Sequence, residues 1–134
     1  MREILFRGKH SEKSMWDYGD LYIDHGKVYI GSRDTMHGVR VYGEVIPETV
    51  GQFTGLTDKN GTKIFEGDIV HMNSKKFCLS GHGVVVYRNG SFAIDDRKRN
   101  RFYPFMQNGQ YNAGDYRVDG NIHDHKELLH DSKV

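Results

Sequence analysis

The residues best equipped to bind a partner stand together in one short run. Arg97-Lys98-Arg99-Asn100-Arg101 follows Asp95-Asp96 and leads into Phe102-Tyr103-Pro104-Phe105. Guanidinium and ammonium groups neutralise phosphates and release counterions, and aromatic rings stack on unpaired bases. Arg97, Lys98, Arg99, Arg101, Phe102 and Tyr103 are therefore the candidate nucleic-acid contacts. Against them stands the ordinary fate of such a run, a solvated loop whose aromatics turn to the core and whose charge Asp95 and Asp96 partly offset.

The remaining chemistry-bearing groups read more plainly as structure. Glu66 and Asp68, two apart, would share one face of a strand, but a paired-carboxylate site needs two acids held at different pKa values. No second acidic cluster supports that, and turn chemistry is the simpler role for Asp68. His123 and His125 flank Asp124, with His130 beyond and His37, His71 and His82 elsewhere. On a strand the first two would point the same way, yet zinc needs at least one more ligand and no nearby spacing supplies it. Cys78 and His82 suggest a nucleophile and a base, but Phe77 and Leu79 around the cysteine favour packing. Gly51, Gly55, Gly61 and Gly67 are too evenly spread for a phosphate-cradling loop and read as turn residues. Neither a metal nor another cofactor is expected.

These groups must be placed by strands. Leu21-Tyr22-Ile23 and Lys27-Val28-Tyr29-Ile30 flank Asp24-His25-Gly26 as a hairpin. Val39, Val41, Gly43 and Val45 alternate with Arg40, Tyr42 and Glu44, the period of a half-buried strand, until Pro47 stops it. Pro47-Glu48-Thr49-Val50 allows one helical turn. Asn60-Gly61 predicts a type I′ turn with both residues at positive φ, and Glu66-Gly67-Asp68 a second sharp turn. Gly83-Val84-Val85-Val86-Tyr87 and Ser91-Phe92-Ala93-Ile94 around Arg88-Asn89-Gly90 form the clearest hairpin. The Gln107–Tyr116 stretch, with Asn108-Gly109, Gly114 and few apolar residues, reads as mobile. His123–His130 predicts a short C-terminal helix capped by Asp124.

The whole chain sets the limits. Its 134 residues suffice for one domain or two small lobes. Aromatics at 12% and a net charge of +1 exclude a disordered chain and argue against a diffuse attraction to nucleic acid or to anionic membrane. One cysteine excludes an intramolecular disulfide and suits a reducing compartment. The charged start Met1-Arg2-Glu3-Ile4-Leu5-Phe6-Arg7 lacks the apolar core of a signal peptide, and no apolar run approaches the roughly 20 residues of a membrane span. A cytoplasmic location is expected, with no membrane partner.

Several blocks together carry a resemblance. Val50-Gly51-Gln52-Phe53-Thr54-Gly55-Leu56 and Glu66-Gly67-Asp68-Ile69-Val70 are the best marked. The opening Met1–Arg7, Tyr18-Gly19-Asp20-Leu21, Gly83-Val84-Val85, Gly120-Asn121-Ile122-His123 and Glu127-Leu128-Leu129 follow in order. With these the chain resembles the YopX-like proteins of bacteriophages and prophages over most of its length, departing in Gln107–Tyr116. The resemblance implies a mainly β protein: an N-terminal β-meander lobe over residues 1–49 packed on an SH3-like small β-barrel over residues 50–134, one compact unit with a short C-terminal helix. It implies a phage or prophage origin in a bacterial host and brings no established activity. The reading is a non-catalytic accessory protein for binding or assembly, its partner a second copy or an unidentified phage or host protein. The alternative is a nucleic-acid-binding protein using the basic, aromatic run. A small hydrolase or nuclease around Glu66, Asp68 or the C-terminal histidines ranks last.

Overall fold

In the computed structural model, which describes residues 1–34, 38–74 and 79–129, the chain is mainly β and forms two antiparallel sheets. It divides within one strand into two compact units, Met1–Gly55 and Leu56–Val134. No helix among the described residues is long and apolar enough to cross a membrane.

The first unit contains β1 (Phe6–Lys9), β2 (Trp16–Asp24), β3 (Lys27–Asp34), β4 (Gly38–Glu44) and the start of β5 (Gly51–Thr57), ordered β4-β3-β2-β1-β5. The β2–β3 hairpin turns where expected, with His25 and Gly26 both at positive φ. Pro47 ends the meander and opens a single 3-10 turn, Pro47–Thr49. The Thr49 hydroxyl donates to the Ile46 carbonyl at 2.6 Å and accepts from the Lys9 N–H at 2.8 Å. That bond fixes the turn against β1, so β5 returns beside it and pairs Phe6 with Gln52. Among the described residues, Ile30, Val45 and Phe53 are the buried apolar side chains of this unit.

The second unit contains the end of β5, β6 (Lys63–Phe65), β7 (Asp68–Ser74), β8 (Leu79–Arg88), β9 (Ser91–Asp96), β10 (Arg101–Pro104) and β11 (Tyr116–Asn121). Its five-stranded sheet runs β10-β9-β8-β7-β11: a four-strand meander whose last partner returns to the first strand. That order is consistent with the SH3-like barrel implied by the resemblance. Strand alternation sends Val70, Met72, Val85, Ile94 and Tyr116 into one core with Ile64 and Phe105. Position 83 lies on that same face and is glycine, since a Cβ there would run into the Ile94 side chain.

Two buried aspartates build the turns of the central run. Asp68 is 2% exposed and accepts from the Phe65 N–H at 2.7 Å, closing the turn in which Gly67 takes a φ of 91°. Glu66 sits in that turn and not on a strand, so the shared face drawn for Glu66 and Asp68 does not form. Asp58, 3% exposed, accepts three backbone N–H groups: Asn60 and Thr62 at 2.9 Å on Oδ1, and Val118 of β11 at 2.8 Å on Oδ2. Burial pushes its pKa up, but those bonds outweigh it and leave the carboxyl below its ordinary value. The Asn60-Gly61 turn is accordingly not type I′. Only Gly61 has positive φ, because Asp58 holds the Asn60 N–H inside the turn. Asn89-Gly90 and Asn108-Gly109 do take positive φ at both residues.

One expectation needs correction. Gln107–Tyr116 is an organised segment, with Gln107 and Gln110 exchanging backbone bonds and a 3-10 turn at Ala113–Asp115. Tyr111 stacks on Tyr116 with ring planes 11° apart and donates its hydroxyl to the Thr57 carbonyl at 2.6 Å. Its few apolar residues are large aromatics packed on the core, which hydrophobic counting underrates. The short C-terminal helix forms as a 3-10 helix at Lys126–Leu129, beginning two residues after Asp124, and Asn121 organises the turn before it. The Asn121 side-chain oxygen accepts from the N–H groups of His123 at 2.9 Å and Asp124 at 3.0 Å.

Asp58→Ala should cost about 3 kcal/mol in urea unfolding, since three backbone donors lose their acceptor, two in the turn after β5 and one on β11. Asp58→Asn, which keeps one acceptor oxygen, should lose less; equal stability of all three proteins would remove Asp58 from its role.

Candidate functional surfaces of the second unit

The basic run occupies the turn between β9 and β10, and the aspartates before it decide its electrostatics. Arg99 donates from Nη1 to Asp96 Oδ2 at 2.7 Å and from Nη2 to the Ser80 carbonyl at 3.0 Å, while its backbone N–H reaches Asp96 Oδ1 at 3.1 Å. The Asp96 side chain is 1% exposed, so this guanidinium serves as the partner of a buried carboxylate. The hydrogen bond to Asp96 raises the Arg99 pKa further. Arg97 lies 3.6 Å from Asp95. Asn100 takes a φ of 53° and lets the chain re-enter β10. Lys98 and Arg101 are exposed, and no hydrogen bond or ion pair holds either among the described residues. Tyr103 packs against the core. Phe102, 47% exposed, lies under the guanidinium of Arg88, whose Cζ is 3.6 Å from the ring centroid. The run thus separates into two acid-paired arginines, Arg97 and Arg99, and an exposed set, Lys98, Arg101 and Phe102, that no acid holds.

A second constellation lies on the opposite face of the same sheet from the core, and sequence reasoning did not assemble it. Register sets Arg117 of β11 opposite His71 of β7, and His71 opposite His82 of β8. The His71 and His82 rings meet edge to face with centroids 5.3 Å apart. Register shifts between Val118 and Gly120, an irregularity that re-aims Asp119. Arg117 donates to both Asp119 oxygens, from Nε at 2.6 Å and Nη2 at 3.1 Å, and His82 Nε2 donates to Asp119 Oδ2 at 2.8 Å. The Arg117 bonds chiefly, helped by His82, lower the Asp119 pKa from 3.8 to about 2. Burial, then the charges of Arg117 and His82, lower that of His71.

The earlier candidates fall out differently. His125 is structural: its Nδ1 accepts from the Asn121 N–H at 3.2 Å, and the ring fills the space a Cβ on Gly120 would need. Cys78, His37 and His130 lie outside the described residues. Among the described residues no group of three His, Cys, Asp or Glu side chains could hold a metal ion. His71 and His82 were visible as singletons. The register that pairs Ser74 with Leu79 also pairs them, but the sequence gives no mark of the irregularity that brings in Asp119.

Acid should destabilise this cluster in two stages. A depressed histidine pKa means the unfolded chain binds more protons, so the His71 contribution is complete above its ordinary 6.5 and falls away below it. The Asp119 contribution, on the order of 1–2 kcal/mol, is complete above 3.8 and is lost as pH falls towards about 2. Urea unfolding between pH 7.5 and 5.0 should show a decline that His71→Gln removes; an identical decline in that variant would assign it to other groups.

Comparison with known proteins bears on the fold. The family model described as YopX protein matches residues 5–130. The chain is similar to the crystal structure of protein EF1440 from Enterococcus faecalis, with a TM-score of 0.63 and 23% identity over 96% of this chain and 99% of that one. It is also similar to the X-ray structure of protein yopX from Bacillus subtilis, with a TM-score of 0.57 and 18% identity over 96% and 97% of the two chains. No curated protein matches it.

Proposed function

Because the chain belongs to the YopX family, we infer that it is a non-catalytic binding or assembly module that presents its Arg88–Phe102 surface to another protein. One observation carries this reading. Two of the four cations in the basic run are tied to Asp95 and Asp96, so what remains outward is Lys98, Arg101 and an exposed aromatic ring under the Arg88 guanidinium. Aromatic residues and arginine are enriched at protein interfaces, where they give large contact area at low entropic cost. The partner is a second copy of the chain or a phage or host protein. Sheet-edge pairing is the weaker route to association: β10 is short and ends in Pro104, and β11 is irregular at Val118–Gly120. The family resemblance supports a phage or prophage origin and a cytoplasmic setting. Nothing in the site indicates catalysis.

A second reading is favoured by one observation of its own. Lys98 and Arg101 stand exposed beside Phe102, so a short stretch of single-stranded nucleic acid would find two cations and one stacking ring. Arg97, Arg99 and Tyr103 would serve it only after leaving their present partners.

Light scattering at micromolar concentration should report a discrete oligomer that the Phe102→Ala/Arg88→Ala double variant shifts to monomer. A wild-type protein that stays monomeric removes self-assembly from this reading. Binding to random single-stranded DNA, followed against salt, should be weak with a slope near one or two engaged phosphates. A steep slope lost in Lys98→Ala/Arg101→Ala would move the nucleic-acid reading to first place.

A further inference from the structure

We propose that Arg97, His82, His71 and Arg117 form a docking row for an acidic segment of a protein partner, and that binding there strengthens as pH falls from neutral to mildly acidic. The row is independent of the Arg88–Phe102 pair. Register lines its members up on the sheet face away from the core. Arg117 of β11 is opposite His71 of β7, and His71 is opposite His82 of β8. Val84 of β8 is opposite Asp95 of β9, so the same register, carried two residues into the turn after β9, brings Arg97 level with His82. The bond from Arg99 to the Ser80 carbonyl holds that turn against the start of β8. Neighbouring strands lie roughly 4.7–4.9 Å apart, so the row extends about 14 Å across the sheet.

Its charge pattern selects the occupant. The arginines at the two ends, 57% and 43% exposed, each have an acid beside them: Asp95 at 3.6 Å from Arg97 and Asp119 at 2.6 Å from Arg117. A guanidinium carries five N–H donors, and neither arginine uses more than two of them on its acid. The histidines lie lower between these ends, with the His82 side chain 21% exposed. At neutral pH two arginines stand against two aspartates, and the row is close to balanced. In mild acid a proton on His71 puts new charge at its centre. The groups that face His71 are Arg117 and Asp119 of β11, His82 of β8, and Lys59 beyond β11, so cations outnumber the one carboxylate. Like charges directly opposite on neighbouring strands are destabilising. Burial, then Arg117 and His82, therefore disfavour that proton in the free protein. A partner carboxylate over the centre of the row offsets this cost, so protonation and binding promote each other. Carboxylates on a peptide come singly on flexible stems and fit between Asp95 and Asp119. A phosphodiester chain crossing the row would meet an acid at each end.

A capped peptide of six aspartates, titrated at low salt into the isotope-labelled full chain and followed by NMR, should shift the backbone signals of His71, His82, Arg97 and Arg117. It should bind about fivefold more tightly at pH 5.0 than at pH 7.5, with folding checked by circular dichroism at both. The titration of the His71 ring should move to higher pH when the peptide is present. His71→Gln should lose the gain in acid. Arg97→Ala, a change in an exposed turn, should weaken binding at both pH values by about twofold to fivefold and keep the gain, which preserves the test should His71→Gln fail to fold. An equal gain in folded His71→Gln, signals that move only elsewhere, or no binding at either pH would overturn the proposal. Tighter binding of a hexathymidylate oligonucleotide than of the peptide at pH 5.0 would also overturn it, by giving the row to nucleic acid.

Discussion

The second unit depends on one buried carboxylate. Asp58 joins the turn that follows β5 to the middle of β11, a strand sixty residues later in sequence, through backbone donors on both sides. A charged group this buried is tolerated only when its lone pairs are filled by donors, and here three N–H groups fill them. The bond to Val118 falls at the position where β11 loses register with β7, so Asp58 supplies the acceptor that an interrupted ladder cannot. The irregularity is thereby held in place, and with it the direction of Asp119. A feature that looks like turn punctuation is what positions the polar cluster on the far face of the sheet.

The same logic governs the basic loop. Asp96 would be an uncompensated buried charge without Arg99, and breaking such a pair costs more than forming it gains. Charge that reads as an outward binding signal is in part the internal counterweight of the strand end before it. This is why the near-neutral composition and the local basic run are compatible: half of the run's cations are paired with the two acids that precede it. What the loop offers outside is fewer charges and one large ring.

Much of the fold was legible because its determinants are local. Alternating Val-Val and Tyr-Ile segments and the pairs His25-Gly26 and Asn89-Gly90 fix hairpins through contacts only a few residues apart. Asp68 was readable as a turn residue for the same reason. The misses share a different cause. Asn60 is held by Asp58, which is itself bonded to Val118 of β11, and Tyr111 orders a glycine-containing segment by donating to Thr57 of β5. Local propensity sets the alternatives, and tertiary hydrogen bonding chooses among them. The Arg117–His71–His82 row was illegible for a stronger reason still: it exists only when β7 lies between β8 and β11, an order the sequence does not state.

That row is hard to explain by stability alone. The Asp119 pairing contributes on the order of 1–2 kcal/mol at neutral pH, and ordering a long arginine opposes it. A strand face of this kind is served as well or better by threonine or valine, which the sheet favours and which bring no desolvation cost. Here instead two histidines, an arginine and an aspartate occupy neighbouring positions on three strands, one of them at a break in register. The basic loop has a structural reason for Arg99, and the central run has one for each of its aspartates. The histidine row has the geometry of a built arrangement without a comparable debt to the fold, which makes it the part of the molecule where binding chemistry is the more economical explanation.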